Sequence, residues 1–539
     1  MEKDLKYVLG LNRHHNGSIC LLKDGEIVYH IEEERLSRLK TDHAPLLCIT
    51  KLRDYTDRID IVGSVGFHDL VNLNEEYKKS LSVYDAMLMK ILKEKDYPPH
   101  DSFFRGHHLC HASVAFYNSG FTDAVCVVVD GNGSTIMDFV ETESIFTASY
   151  PANFNCIHKR CYSELPPINN TGLDVSTCIS VGHIFESICS HFGFEWSEAG
   201  KVMGLSAYGK PNKIFPKILI DGRANPEMFS GKKFIYKYET TFQNKADLAY
   251  AIQKECQEYI TSFILKAIEL TGNKNVCLSG GYFLNCVANY EYLNSLPEGT
   301  NLYVEPNSGD AGLSIGVAKY IWHSKTGDNT IRKQTSLYHG PKPKYNISDD
   351  VMTKKVTPND VAKLLHEGNI VAMYQGHSES GPRALGNRSI LFDPTIINGK
   401  DFVNKVKRRE WFRPFAGTIL LDKVNEWFDM RGLKESPFMM FAVNCLEDKK
   451  SKIPAIVHED GTCRIQTLSI EQNVCYYNLI KAFEDLTGVP ILFNTSLNLA
   501  GEPLVETLEE AIDTLMKSEI EYLYLPEKEL LIIVPNERS

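Results

Sequence analysis

The sequence predicts a two-domain α/β protein whose first domain is duplicated, and three features of the chain predict it. At 539 residues it is too long for one hydrophobic core, because chains beyond roughly 250–300 residues split into domains. An apolar strand–turn–strand pattern at the N-terminus is echoed after residue 123. Between residues 324 and 348 the periodicity dissolves into Lys, Thr, Gly, Asn, Pro and Tyr, and a fresh helix–strand unit follows. The expected domains are residues 1–335 and 350–539.

The elements follow in order. Tyr7-Val8-Leu9-Gly10-Leu11-Asn12 reads as a buried strand and Ser18-Ile19-Cys20-Leu21-Leu22 as a second. Past the Lys23-Asp24-Gly25 turn, Ile27-Val28-Tyr29-His30-Ile31 returns as a third. His107 opens a helix through Phe116. The echo is the strand Ala124-Val125-Cys126-Val127-Val128-Val129, a turn at Asp130-Gly131-Asn132-Gly133, and a strand continuing over Thr135-Ile136-Met137-Asp138-Phe139-Val140. In a duplicated domain of this kind a ligand sits between the halves. Residues 248–270 form the longest helical stretch, and Val276-Cys277-Leu278-Ser279 is a strand running into the Gly280-Gly281 turn. In the second domain a cap at Thr357-Pro358-Asn359-Asp360 starts a helix over 361–367, and Ile370-Val371-Ala372-Met373-Tyr374 follows as a strand. Further strands are expected at 417–421 and 489–494.

Composition narrows the function. Hydrophobic residues make up 43% and charged residues 24%, as in ordinary globular proteins. A net charge of −11 disfavours a surface for broad binding to nucleic-acid backbones, although a local basic groove is compatible with it. Met1-Glu2-Lys3-Asp4 lacks the basic-then-apolar pattern of a secretory signal, and no apolar run approaches the roughly 18 residues that span a bilayer. The 14 cysteines form no CxxC pair and mostly sit in apolar stretches, so buried thiols and a cytoplasmic setting are expected.

Two regions carry chemistry. In His107-His108-Leu109-Cys110-His111, His107 and His111 lie one helical turn apart, the spacing two imidazole ligands need; His108 is an alternative partner for His111. Asp130 at a strand end and Asp310 in Asn307-Ser308-Gly309-Asp310-Ala311-Gly312 are either turn caps or the carboxylates completing a mixed nitrogen–oxygen site for iron, manganese or zinc. The glycines at 131 and 133, 280 and 281, and 309 and 312 let backbone N–H groups approach an anion. His15, where the first strand yields to the turn, is placed to act as a base towards a hydroxyl or is a solvated turn residue. The run from Glu32 to Lys40 reads as a charged, solvated face. In the second domain, Gly381-Pro382-Arg383-Ala384-Leu385-Gly386-Asn387-Arg388-Ser389 is followed by Lys405, Lys407, Arg408, Arg409, Arg413 and Arg464. Such basic density in an acidic chain matches phosphate and carboxylate oxygens.

These segments together resemble the O-carbamoyltransferase family that includes the nodulation-protein, tobramycin and cephamycin enzymes. The resemblance runs in order through His15-Asn16-Gly17-Ser18, Glu32-Glu33-Glu34-Arg35, His107 to His111 and Gly200-Lys201-Val202-Met203-Gly204-Leu205-Ser206-Ala207-Tyr208-Gly209. It continues through Ser279 to Asn285, Gly309-Asp310-Ala311-Gly312, the Gly381 segment, Arg413-Pro414-Phe415-Ala416 and Phe493-Asn494-Thr495-Ser496. It implies a Kae1-like first domain of the actin/Hsp70 type, a duplicated ribonuclease-H-like fold, and a YrdC-like second domain. The second would turn carbamoyl phosphate and ATP, with Mg2+, into carbamoyladenylate, and the first would move the carbamoyl group to an acceptor hydroxyl. By motif position, His107, His111, Asp130 and Asp310 look like ligands of a divalent metal, usually Fe2+, with Mn2+ or Zn2+ also suited. His15 looks like the base with Lys40 near it. Arg383, Arg388, Lys407, Arg413 and Arg464 look like the carbamoyl-phosphate and ATP grip. Asn494, Thr495, Gly280, Gly281 and Asn285 look like further substrate or nucleotide contacts. Asn16, where relatives commonly carry Asp, and Leu497-Asn498 depart from the family pattern.

Carbamate is a poor electrophile, and joining it to AMP supplies a leaving group without a protein nucleophile. A shielded route for that intermediate is expected. Acceptors compatible with the sequence are a sugar, a nucleotide sugar, an antibiotic, or a hydroxymethylated pyrimidine, free or in DNA; no membrane partner is expected, and a homodimer is allowed. The rival readings are a threonylcarbamoyl-type tRNA-modifying enzyme and a non-enzymatic actin/Hsp70-like ATP-binding regulator.

Overall fold

A computed structural model of the chain describes residues 5–65, 87, 88, 90, 100–102, 106–136, 138–166, 173–348 and 351–535. The Met1-Glu2-Lys3-Asp4 start, Met137 and the expected first residue of the second domain, Asp350, lie outside the described residues. The chain divides into two compact units, one of Met1–Ser37 with Thr41–Gln334 and one of Arg38–Lys40 with Thr335–Ser539.

In the first unit, β1 (Tyr7–Asn12), β2 (Ser18–Lys23) and β3 (Glu26–Glu32) form an antiparallel meander. Two parallel strands, β4 (Ile61–Val65) and β5 (His100–Ser102), extend it on the other side of β1, giving the order β3-β2-β1-β4-β5. Alternate residues of β1 and β2 face opposite ways, as the two-residue period of a strand requires. Val8, Cys20 and Leu22 pack with Val317 and Ile321, whereas Leu9, Leu11, Ile19 and Leu21 pack with Cys48, Ile49 and Leu52. The sheet is therefore covered on both faces.

A second sheet repeats this plan. After α1 (His107–Ser119) come β6 (Asp123–Val129), a two-residue β7 (Thr135–Ile136), β8 (Phe139–Ser149) and β9 (Asn153–Tyr162). The parallel strands β10 (Asn275–Ser279) and β11 (Asn301–Val304) lie beyond β6, so the path β9-β8-β6-β10-β11 has the same order and directions as the first sheet. The duplication expected from the sequence is present in the topology. The expected single strand over residues 135–140 is instead two strands, with Thr135 paired to Val140 and Ile136 to Phe139. Asp138, a turn former, sits where the chain doubles back.

Helix α1 packs with both sheets: Cys110 and Val114 join the core of the first sheet, while Ala112, Ala115 and Phe116 join Ala124, Cys126 and Val128 of β6. Helix α5 (Leu313–Thr326) crosses α1 closely, because Gly316 has no side chain; a methyl there would stand 2.1 Å from the Cys110 carbonyl oxygen. Between β9 and β10 in sequence lie α2 (Val181–Phe192), α3 (Ala199–Ser206) and the 30-residue α4 (Phe242–Thr271), which starts earlier than its apolar pattern because the Thr241 hydroxyl caps it by accepting from Asn244 N.

The charged run after β3 is not the solvated face expected. Glu32, Glu33 and Arg35 are buried, and the Glu33 carboxylate accepts from Leu47 N and Cys48 N, both at 2.9 Å. Burial is tolerated because those N–H groups satisfy the charge.

The second unit is built on one mixed ten-stranded sheet. Its centre runs from β12 (Val371–Tyr374) through β13 (Arg388–Phe392), β16 (Ile491–Ser496) and β14 (Ala416–Leu420) to β15 (Thr462–Leu468). The helix Pro358–His366 begins at the expected Thr357 cap, where Asp360 returns a bond to Thr357 N at 2.9 Å. Strand β16 starts after Pro490, which lacks a donor, and not at Val489 as expected. All 14 cysteines are free thiols and most are buried. Among the described residues no helix is long and apolar enough to cross a membrane. Both units are mixed α/β, as the sequence predicts.

Candidate active site

Three elements bring the first constellation together. The first two turns of α1 supply His107 and His111, the residue after β6 is Asp130, and Asp310 opens the turn of 3-10 helix Asp310–Gly312 that leads into α5. His107 Nε2 lies 3.2 Å from His111 Nε2, 3.1 Å from Asp130 Oδ2 and 3.5 Å from Asp310 Oδ1. His111 Nε2 is 3.6 Å from Asp310 Oδ1. One ligand atom from each of the four residues falls within 4.8 Å of the others, and all four are buried. Two imidazole nitrogens and two carboxylates so gathered fit one divalent cation of the Fe2+, Mn2+ or Zn2+ kind.

Neighbours hold each ligand in place. Ser279 Oγ stands 3.3 Å from His111 Nδ1, so Nε2 is the nitrogen turned to the centre. Gly281 N donates to Asp130 Oδ1 at 2.9 Å, and Ser134 Oγ accepts from His107 N at 3.1 Å. Gly280 is required by this junction: its φ is +103°, and a Cβ would stand 2.2 Å from the Val129 carbonyl oxygen. His108 is the histidine that turns away, with Nδ1 2.7 Å from Ser144 Oγ. Burial opposes charge on His107, but Asp310 and Asp130 outweigh it and push its pKa up to about 10. Burial dominates at His108 against the pull of Glu141, and its pKa falls to about 3. Burial and the nearby Asp310 oppose ionisation of Asp130, yet the two histidines hold it down at about 2.

The first loop joins this centre through Asp310. His15 Nε2 lies 3.3 Å and His14 Nδ1 3.5 Å from Asp310 Oδ2. Asn12, the last residue of β1, ties loop and turn together by donating to Asn16 O at 3.1 Å and Asp310 O at 2.9 Å. Asn12 was not legible as functional; an amide ending an otherwise apolar strand is the signal that marks it. Glu186 on α2 also faces the centre, and burial pushes its pKa up to about 7 against the pull of Lys232. Only its helix, with no motif around it, is visible in the sequence.

In the second unit the cationic side chains crowd. The Lys407 ammonium is buried and donates to Ser496 O and, at 3.0 Å, to Asn498 Oδ1. Burial, then Arg409 and Arg413, keeps its pKa well below the usual lysine range. Arg409 stacks over Phe415 at 4.6 Å, and burial, then Arg413 and Arg464, depresses it too. Arg413 is half-buried, 3.6 Å from Glu410. Lys40 is grouped with this unit, and its charge acts on Lys407. The cause is its neighbour Arg38, which donates to Leu504 O at 2.7 Å and Pro503 O at 2.9 Å.

Several expected contacts have structural partners. Arg388 is fully buried over the Tyr374 ring at 3.9 Å and donates to Gln375 O, Gly376 O, Asn387 O and Glu506 O. Asn285 accepts from Ala288 N to cap a helix and exchanges two bonds with Gln253. Asn494 donates to Thr418 Oγ1 at 3.0 Å, and Thr495 follows it on β16. Arg383 lies in the Gly381 segment, whose shape is set by Glu379 Oε1 accepting from Leu385 N and Asn387 N.

Comparison with known proteins identifies the scaffold. A family model for the carbamoyltransferase N-terminus matches residues 66–319, and one for the carbamoyltransferase C-terminus matches residues 362–531. The nodulation protein NolNO of Sinorhizobium fredii is 29% identical over 94% of this chain and 78% of its own length. NolO of Bradyrhizobium diazoefficiens is 30% identical over 77% of each chain. A crystal structure of full-length HypF in its phosphate- and nucleotide-bound form is 14% identical over 61% of this chain and 57% of its own, with a TM-score of 0.39. With both halves of the family matched in chain order and NolO shared over 77% of its length, the chain belongs to the carbamoyltransferase family and is a transferase enzyme.

Proposed function

We propose that the protein is an ATP-dependent O-carbamoyltransferase working in two steps. In the second unit, water takes the phosphate from carbamoyl phosphate. The carbamate oxygen released attacks the α-phosphorus of ATP, bound with Mg2+, and pyrophosphate leaves. In the first unit the acceptor hydroxyl oxygen attacks the carbamoyl carbon of carbamoyladenylate, AMP leaves, and the hydroxyl proton passes to His15. This assigns the YrdC-like role to the second unit and the Kae1-like role to the first.

The observation that carries the reading is the packing of the buried Lys407 with the half-buried Arg409, Arg413 and Arg464. Cations held this close repel one another, and an anionic substrate relieves the repulsion. Positioning and charge neutralisation are what transfer to phosphorus asks of a protein. Arg383 and Arg464 add forks to this grip, with Asn494 and Thr495 near the nucleotide.

In the first unit, His107, His111, Asp130 and Asp310 would hold the divalent cation. When bound, it supplies a Lewis acid that neutralises charge developing on oxygen. With Asp310 Oδ2 beside His15 Nε2, Nδ1, which stands 3.4 Å from Asn16 Oδ1, is the nitrogen left to take the acceptor proton, and the carboxylate steadies the imidazolium that results. The acceptor is a hydroxyl of a sugar, a nucleotide sugar, an antibiotic scaffold or a hydroxymethylated pyrimidine.

The test uses the full chain with carbamoyl phosphate, ATP, Mg2+ and Fe2+. Pyrophosphate release without acceptor, and a product heavier by one carbamoyl group with an acceptor panel, are the expected results. Absence of pyrophosphate under these conditions overturns the scheme.

A further inference from the structure

Two side chains that the scheme leaves unused stand at this centre, Trp196 against His15 and Glu186 against the turn after Asp130. Trp196 lies in the connection between α2 and α3, is 42% exposed, and meets the His15 ring at 5.1 Å between centroids and 66° between planes. In this near-perpendicular arrangement His15 covers at most one face of the indole. An exposed indole leaves much apolar surface in water, and its usual use beside a polar centre is to receive a ligand with an apolar face.

The second side chain is Glu186. Its carboxylate stands against the Asp130-Gly131-Asn132 turn: a methyl group on Gly131 would come within 2.3 Å of Glu186 Oε1. The charges acting on it are those of Lys232, Asp130, His15 and Asp310, so it shares the centre's surroundings. Lys232 Nζ is itself bound to Asn132 Oδ1 at 2.9 Å. A carboxyl group keeps acceptor oxygen whether ionised or neutral, and a ligand hydroxyl can donate to it.

Resting on the assignment of His15 as the base, we propose that Trp196 and Glu186 select the acceptor. A polyol ring lays a C–H face on the indole and donates one rim hydroxyl to Glu186, which presents a neighbouring hydroxyl to His15. An acyclic alcohol has no face for the indole. A flat pyrimidine has the face but lacks adjacent ring hydroxyls, and its hydroxymethyl arm would have to serve both residues at once.

The experiment measures carbamoylated product and pyrophosphate together, for wild type, Trp196→Ala, Trp196→Phe and Glu186→Gln. The probes are myo-inositol, methyl α-glucoside, glycerol and a hydroxymethylcytosine nucleoside, each with carbamoyl phosphate and ATP. Ring polyols should be carbamoylated in preference to glycerol and the nucleoside. Trp196→Ala should raise KM for them about tenfold with a smaller change in kcat, equal to about 1.4 kcal/mol, and Trp196→Phe should restore most of it. Glu186→Gln should lower the preference for rings with adjacent hydroxyls. Glycerol used as well as the rings, a nucleoside preferred in a Trp196-dependent way, or an unchanged KM in Trp196→Ala each overturns the proposal. Wild type that releases pyrophosphate while the ring preference is absent sinks only this inference; wild type that releases none sinks the underlying scheme.

Discussion

Asp310 Oδ2 lies 3.3 Å from His15 Nε2, while Oδ1 of the same carboxylate faces His107 and His111. One side chain thus serves both the metal-type centre and the residue proposed as base. Replacing Asp310 with Asn should therefore remove metal and transfer together. Metal analysis of the purified variant, with pyrophosphate release as the control for the second unit, separates this from general unfolding.

The two adjacent histidines of α1 make a sharper pair. His107→Ala should lose bound metal, whereas His108→Ala should retain it, because His108 is turned to Ser144. Ser279→Ala removes the partner of His111 Nδ1 and should weaken metal affinity about tenfold, the usual cost of losing an outer partner. Equal metal loss from both histidine variants would contradict the geometry.

Arg413 is exposed enough to reach a substrate and sits at the edge of the cationic cluster. Arg413→Ala should slow pyrophosphate release about a hundredfold or more, the cost of removing one preorganised charge from a phosphoryl site. Normal release by a folded Arg413→Ala protein would remove this arginine from the grip.

Arg388, by contrast, should report on stability. Its guanidinium spans four main-chain carbonyls, and Glu506 Oε1 lies 3.8 Å away. Arg388→Met leaves these acceptors buried without donors and should cost about 3–5 kcal/mol, read from urea unfolding.

A pH dependence follows from Glu305. Burial raises its pKa from 4.5 to about 7, against bonds from Asn307 N, Asn118 Nδ2 and Tyr303 Oη. A carboxyl raised on folding favours the folded state at low pH. Its contribution is complete below pH 4.5 and is lost as pH rises to about 7. Lys319, lowered by burial to about 8, titrates above this window. Unfolding free energies of wild type and Glu305→Gln across pH 4.5 to 7 should show the steeper fall in wild type.

Much of the fold needed only neighbours in the chain. Alternation over Tyr7–Asn12 and Ser18–Lys23, the Asp24-Gly25 turn and the Thr357 cap are local patterns, and local patterns decide whether a stretch becomes strand, turn or helix. The one-turn spacing of His107 and His111 belongs to the same class, since helix geometry places them on one face whatever surrounds the helix. Which of His107 and His108 points inward, that Arg388 clamps main chain, that Lys40 groups with the second unit, and that Asp310 touches His15 are relationships between residues far apart in sequence. They depend on how whole elements pack, because burial and the competition for hydrogen-bond partners are properties of the assembled core and not of any segment within it.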